Sequence, residues 1–363
     1  MLLTLAFVLT TLTLGPGFVS SMSISSGEGG DRDSKFIFTL VRFPNVVCGS
    51  GLDSGTCVTN AECTARGGSV VGSCANRYGV CCKVTLTGCG GTVTRNNTLV
   101  LSTDYPSYYN EAKTCEYKVQ FDDSAGNICH IRYQHISNEL VGPSSLGVCQ
   151  NDMLVFKEDT KSSYFCGKAP ADYHWLVETS GTTSPHTFTI TTDSSSSNRR
   201  YAILVSWIPC SVRIPSKCGM YFTGTSGTVS SYNFGNDYYL AGLKYSVCFR
   251  KDRGYCTYSL MKTTNEMFIG GNADKFRLPM GQGIAVSEYP PFTGAGFCAL
   301  NTVQAMYAMS EICEFPTIMT TAQTQGPFFF TIVTEIDAIS NFNTVINSNS
   351  RAGYGFNWRQ NKC

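Results

Sequence analysis

An enzyme built on this chain would have to draw on four histidines, His130, His135, His174 and His186. A serine hydrolase needs a serine activated by histidine and oriented by a carboxylate. None of the four stands in such a context, and no Gly-Asp-Ser-Gly-Gly element occurs anywhere. A zinc hydrolase of the common helical type needs His-Glu-x-x-His. Here His130 and His135 fall in a predicted strand, separated by an odd number of positions. Alternation puts them on opposite faces, so they are not a chelating pair. Glycine-rich segments are present, but none is followed by the Lys-Ser/Thr of a phosphate loop. The inventory of reactive groups points away from catalysis.

Cysteine chemistry is the stronger signal. Eighteen cysteines in 363 residues, an even count at high density, indicate an oxidising compartment and a disulfide framework. Paired Cys-x-x-Cys knuckles with nearby histidine, which would favour metal, are absent. The N-terminus agrees. Leu2 to Leu14 is apolar, and Val19-Ser20-Ser21 suits cleavage after Ser21, so residues 1–21 are expected to be a signal peptide. That run is too short to span a bilayer, and no later segment is long and apolar enough. The expected product is secreted and extracellular, and Asn96-Asn97-Thr98 makes Asn96 its candidate glycosylation site. Twenty-seven basic against 26 acidic residues leave a net charge of +1. This gives no electrostatic case for nucleic acid or acidic lipid; the densest basic spots are pairs such as Arg199-Arg200.

The elements that must carry these cysteines are strands. From Cys115 to Phe121, Cys115, Tyr117, Val119 and Phe121 share one face, and Glu116, Lys118 and Gln120 share the other. This is the period of a half-buried strand. Tyr201, Ile203, Val205 and Trp207 repeat it before Cys210. Nothing between Cys89 and Cys210 sustains a helical period, so residues 89–210 are expected to form a β-sandwich. Ahead of them, residues 22–47 are small and polar and are expected to be a spacer, with one strand possible over Phe36–Phe43. Residues 48–82 hold six cysteines in too short a span to bury a sufficient core, so crosslinks must supply stability. Their spacing leaves every connectivity open. Residues 211–217 are a short linker. Residues 218–363 look like a diverged second copy, with cysteine gaps of 30, 8, 42, 15 and 50 against 26, 14, 20, 17 and 44 in the first. Tyr354, Phe356 and Trp358 stand at the same distances from Cys363 as Tyr201, Ile203 and Val205 from Cys210. The Cys256–Cys298 interval is an enlarged loop carrying Gly270-Gly271, Gly281-Gln282-Gly283 and Tyr289-Pro290-Pro291-Phe292.

Gly55-Thr56-Cys57, Glu62-Cys63 and Val80-Cys81-Cys82 resemble the clip domain of arthropod secreted proteases. That likeness implies the pairs Cys48–Cys81, Cys57–Cys74 and Cys63–Cys82. A larger resemblance follows from Cys89-Gly90-Gly91-Thr92, Tyr105-Pro106-Ser107-Tyr108-Tyr109, Cys149-Gln150-Asn151-Asp152 and Cys166-Gly167, with Thr192-Asp193 before the last strand. These residues are similar to a CUB domain, which implies an antiparallel two-sheet, jelly-roll-like sandwich with pairs Cys89–Cys115 and Cys149–Cys166. Cys129 and Cys210 are then left to pair together. Analogy gives Cys218–Cys248, Cys298–Cys313 and Cys256–Cys363 in the second copy. Ile128-Cys129-His130-Ile131-Arg132 with Trp207-Ile208-Pro209-Cys210 resembles secreted arthropod CUB proteins.

The same resemblance implies a calcium ion at one end of the sandwich. Its ligands would be Tyr109 (or Tyr108), Glu139, Asp152 and Asp193, an oxygen set of the kind calcium takes. In the second copy Glu266 matches Glu139, but Asn301 stands where Asp152 would, and Glu335 would replace Asp193. Tyrosines cluster at 105, 108 and 109 and again at 238 and 239; packing is expected for Tyr105 and partner contact for Tyr108. The leading expectation is a non-enzymatic extracellular binding protein that recognises a protein or glycan through loops at one sandwich end. The alternative is a non-catalytic cofactor or decoy in an extracellular protease cascade, docking through residues 48–82.

Overall fold

The computed structural model describes residues 42–121, 126–158, 161–179, 185–236, 238–264, 275–277, 311–312, 318–322, 328–334 and 353–363. Two compact units divide the chain after Val84. The first contains β1 (Val47–Cys48), β2 (Gly55–Val58), α1 (Asn60–Ala65), β3 (Ser69–Cys74) and β4 (Gly79–Thr87), which runs past the boundary. Thr59 caps α1 by accepting a hydrogen bond from Glu62 N at 3.2 Å, which satisfies one of the free donors of the first turn. Cys48–Cys81, Cys57–Cys74 and Cys63–Cys82 crosslink the unit. Among its described residues the buried cluster is Val58, Cys63 and Cys82, and the bridges add restraint on the unfolded chain, at about 2–4 kcal/mol each. Of the strand expected over Phe36–Phe43, residues 36–41 lie outside the described residues, and Arg42 and Phe43 are not in a strand.

The second unit holds two sandwiches. In the first, β6 (Thr98–Leu101), β13 (Arg200–Pro209), β8 (Ile128–Glu139) and β11 (His174–Glu178) lie side by side in that order. The chain enters beside β6 through Gly88 N to Leu101 O, 3.2 Å. The facing sheet runs β10 (Ser162–Phe165), β9 (Met153–Lys157), β12 (His186–Thr192), β7 (Lys113–Val119), β5 (Gly91–Val93), with only the β5–β7 pair parallel. Cys115, Tyr117 and Val119 are buried while Glu116 and Lys118 are exposed. Register places Phe188 opposite Tyr117, and the two rings stack at 4.8 Å. On β13, Tyr201, Ile203, Val205 and Trp207 face the core, but Ala202 and Leu204 are buried as well. They form a second apolar cluster with Leu99, and Tyr105 packs against it. Cys89–Cys115, Cys129–Cys210 and Cys149–Cys166 close this sandwich.

The second sandwich repeats the plan. One sheet runs β14 (Cys218–Phe222), β16 (Lys244–Phe249), β21 (Phe328–Val333), β18 (Lys275–Arg277), β19 (Glu311–Ile312); the other runs β15 (Ser226–Ser230), β22 (Gly355–Lys362), β17 (Tyr255–Lys262), β20 (Ile318–Ala322). Cys218–Cys248 and Cys256–Cys363 are formed. Cys298 and Cys313 lie outside the described residues, as does most of the Cys256–Cys298 loop. A buried phenol pair occurs in each copy: Tyr117 with Tyr201 at 2.6 Å and Tyr245 with Tyr354 at 2.9 Å. Tyr201 lies on β13 and Tyr354 just precedes β22, so each pair ties the start of the last strand to the opposite sheet and partners its buried hydroxyls; the Tyr117 hydroxyl also donates to Gly88 O.

The linker does more than keep the copies near each other: they share one aromatic core. Tyr232 enters from the second copy and meets Phe165, Tyr173 and His135 edge-on at 5.1, 5.0 and 5.5 Å. Its hydroxyl accepts a hydrogen bond from Asn138 Nδ2. Trp175 packs edge-to-face on Tyr245 at 5.1 Å. Gly219 permits that approach, since a Cβ there would lie 2.8 Å from the Trp175 ring and 2.8 Å from Tyr245 Cβ. Polar contacts frame the junction: Asn233 N donates to Lys168 O (3.1 Å), Ala241 N to Gly147 O (2.8 Å), and Tyr221 N to His174 Nε2 (2.9 Å).

Candidate functional site

Arg199, just before β13, and Arg200, its first residue, are consecutive, and extended geometry sends their side chains to opposite faces. Tyr201 faces the core, so Arg199 faces inward too and Arg200 outward. Arg199 is held by a backbone bridge to Tyr109, with N–H···O distances of 3.0 and 2.9 Å. Its side chain has no exposure at all, and neither has that of Asp152. The guanidinium grips Asp152 in two-pronged fashion, Nε to Oδ2 at 2.7 Å and Nη2 to Oδ1 at 3.0 Å. Nη2 also donates to Asp193 Oδ1 and to Ser195 Oγ (2.7 Å), and Nη1 to the carbonyls of Ser195 (2.8 Å) and Ser197 (3.0 Å).

Both carboxylates have further donors. Asp152 Oδ2 accepts from Val141 N at 2.8 Å and Oδ1 from Asp193 N at 3.1 Å. Asp193 Oδ2 accepts from Asn151 Nδ2 at 2.6 Å, and its Oδ1 from the Ser195 amide (3.0 Å) and hydroxyl (2.6 Å). The hydrogen bond from Asn151, those from Ser195 and the Arg199 charge hold the Asp193 carboxyl well below the usual carboxylate range. Beside them, burial first and the Asp152 charge second push the Tyr109 phenol up.

Arg200 takes the remaining carboxylate. Its Nε donates to Glu139 Oε1 at 2.7 Å, and Lys168 Nζ stands 3.8 Å from Oε2. Tyr108, 42 % exposed, lies under the Arg200 guanidinium at 4.5 Å from ring centre. Of the four residues expected as calcium ligands, the structure therefore brings Tyr109, Asp152 and Asp193 together around Arg199, and gives Glu139 a separate set of partners. Every carboxylate oxygen of Asp152 and Asp193 already accepts hydrogen bonds, so the set as arranged does not fit an added cation. Among the described residues no three His, Cys, Asp or Glu side chains form a metal-type cluster. Glu266, Asn301 and Glu335 lie outside the described residues.

The histidines are structural. His135 sits among Phe156, Tyr173 and Tyr232, and burial depresses its pKa to about 3. His174 accepts from Tyr221 N, and burial holds its pKa well below the usual value. His130 is buried and also lowered, and His186 packs on Phe121 at 5.6 Å. Asn96 is half-buried. Its Oδ1 accepts from Trp207 N at 2.9 Å, and its Nδ2 donates to Trp207 O at 3.3 Å. Arg199 is the residue that charge counting overlooked, because the Arg199-Arg200 pair is too small to matter in net charge. Its strand position was the available signal.

Residues 89–203 match the family model described as the CUB domain, and residues 215–361 that of the animal CUB domain. No curated protein matches the chain. Among solved structures, the chain is similar to the CUB1-EGF-CUB2 domains of rat MASP-1, at 12% identity and a TM-score of 0.28, covering 74% of this chain and 99% of that one. The MASP-1 CUB2 domain bound to Ca2+ is 18% identical with a TM-score of 0.27, covering 33% and 99%. The full extracellular region of zebrafish Gpr126/Adgrg6 is 11% identical with a TM-score of 0.28, covering 75% and 36%.

Proposed function

We propose, for a chain that carries two CUB domains, that it is a secreted, non-enzymatic binding protein which recognises an extracellular protein partner through the loop end bearing Tyr108, Glu139, Lys168 and Arg200. The observation that carries this is the exposed Tyr108 ring beneath the Arg200 guanidinium. Tyrosine and arginine are the side chains that most often anchor protein interfaces. A pre-stacked pair also loses less side-chain freedom on docking than two free side chains would. The shared core supports the same reading, because a partner bound at one sandwich meets both domains as one body. Disulfides throughout the described residues fit an oxidising compartment, with the export signal ending at Ser21 as part of the proposal.

The test is capture from extracellular fluid with the full-length secreted protein, followed by titration of the partner so identified. Tyr108→Ala and Arg200→Ala should each weaken capture at least about tenfold, the scale of an interface hot spot. Tyr164→Ala, an exposed tyrosine on β10, should leave it unchanged. Equal capture by all four proteins would remove this surface from the function.

A further inference from the structure

The Asp152–Asp193 pair poses a problem that proteins solve in few ways. Two carboxylates meet in one loop cluster, one of them without solvent exposure. Unless a cation neutralises them, one would have to take up a proton. Here the counter-charge is covalently attached to the chain. Arg199 offers donors to both carboxylates and to two loop carbonyls, and its planar fork fits the Asp152 carboxylate in the two-point manner that a lysine cannot reproduce.

We propose that Arg199 is the resident cation of this loop end, standing where a divalent ion would otherwise sit, so that the fold of this end is independent of free calcium. Arg199 joins three segments: its backbone bridges the Tyr109 segment, and its guanidinium ties the segment before β9 through Asp152 to the loop after β12 through Asp193, Ser195 and Ser197. It carries one positive charge rather than two. The shortfall is met by neutral donors, namely Val141 N, Asn151 Nδ2 and the Ser195 amide and hydroxyl. This role lies in the chain's own folding and does not depend on any partner.

The experiment compares unfolding temperatures of the full secreted chain in EDTA and in about 10 mM calcium chloride, a range that covers weak extracellular sites. The wild type should show the same midpoint in both. Arg199→Ala should melt roughly 10 °C lower in EDTA, the scale of a buried pair broken from one side. Calcium should then restore roughly 3–5 °C, as an ion with a Kd of about 1 mM would, and this rescue should vanish in Arg199→Ala/Asp152→Asn. A wild-type midpoint that rises with calcium, with the rise lost in Asp152→Asn, would overturn the proposal. So would a folded Arg199→Ala that ignores calcium. If Arg199→Ala does not fold, the wild-type comparison still decides, because equal midpoints are read on the wild type alone and a rise is assigned with Asp152→Asn, neither of which uses that variant.

Discussion

Tyr232 joins two sandwiches, so its truncation should separate them as well as weaken them. The ring is fully buried and touches Phe165, Tyr173 and His135 at 5.0–5.5 Å. Removing a large buried aromatic costs about 3–5 kcal/mol in lost burial and residual cavity. Tyr232→Phe keeps the ring and deletes only the hydroxyl that accepts from Asn138 Nδ2, leaving that amide without its acceptor for about 1–3 kcal/mol. For domains of this size each kcal/mol shifts the midpoint by about 2–4 °C. Tyr232→Ala should therefore lower it by about 6–20 °C, and Tyr232→Phe by the smaller amount of about 2–12 °C. Differential scanning calorimetry with disulfides intact is the assay. The wild type should unfold the pair of sandwiches in one transition, and Tyr232→Ala should resolve two. Tyr164→Ala, with its ring 48% exposed, should stay within about 0.5 kcal/mol of wild type. The reasoning fails if Tyr232→Ala costs under about 1 kcal/mol, or if its single transition matches that of Tyr164→Ala.

Acid should act on the same junction. His135 is held at a pKa of about 3 by burial, while the unfolded chain titrates near 6.5. Below pH 6.5 the unfolded state binds the proton first, so stability is complete above pH 6.5 and falls towards pH 3 by about 1.4 kcal/mol per pH unit for this residue. His135→Phe should flatten that slope in urea titrations between pH 6 and 4; an unchanged slope would show that His135 is not the group responsible. Asp193 adds to acid lability at lower pH, since its depressed pKa stabilises the fold above the ordinary carboxylate range and that gain is lost as the carboxylate protonates. Removing Cys129–Cys210 by a double serine substitution opens an 81-residue separation, for which loop entropy gives a loss of about 4.5 kcal/mol; a denaturant midpoint unchanged from wild type would contradict it. Glu139→Ala should cost no more than about 1 kcal/mol by denaturant melt, because Arg200 and Lys168 are partly solvated.

Much of the fold can be read in one dimension because its strands bury one face. β7 and β12 alternate in sequence and in burial alike. The repeat was visible in cysteine gaps and in the aromatic spacing before Cys363. The junction was not visible. Phe165, Tyr173 and Trp175 carry the pattern of ordinary core aromatics, and nothing in that pattern says whether the covering ring comes from the same sandwich or its neighbour. Ala202 and Leu204 hid the outer-face cluster for a related reason: their apolar character breaks the alternation, yet the sequence gives no hint that Leu99 lies beside them. A seven-residue linker limits how far apart two domains can sit, but it is contacts such as those of Gly219, Tyr232 and Tyr245 that join them into one core.

At the loop end the carboxylates were legible and their counter-charge was not. The resemblance to a CUB domain marks Asp152 and Asp193 as ligands of an ion, and it marks nothing at Arg199. Arg199 sits at the end of a serine run and adds nothing distinctive to composition. Carrying the period of β13 back by one step resolves it. Tyr201 points into the core, Arg200 points out, and Arg199 points in. An arginine facing a core retains its charge and requires a buried anion, since its side chain cannot shed a proton at any relevant pH. Asp152, itself without exposure, has the matching need. Each residue alone would be a costly defect, and together they satisfy one another. The same step sends Arg200 outward to Glu139 and Tyr108, so two adjacent arginines divide between them the work of fixing the loop end and that of presenting it.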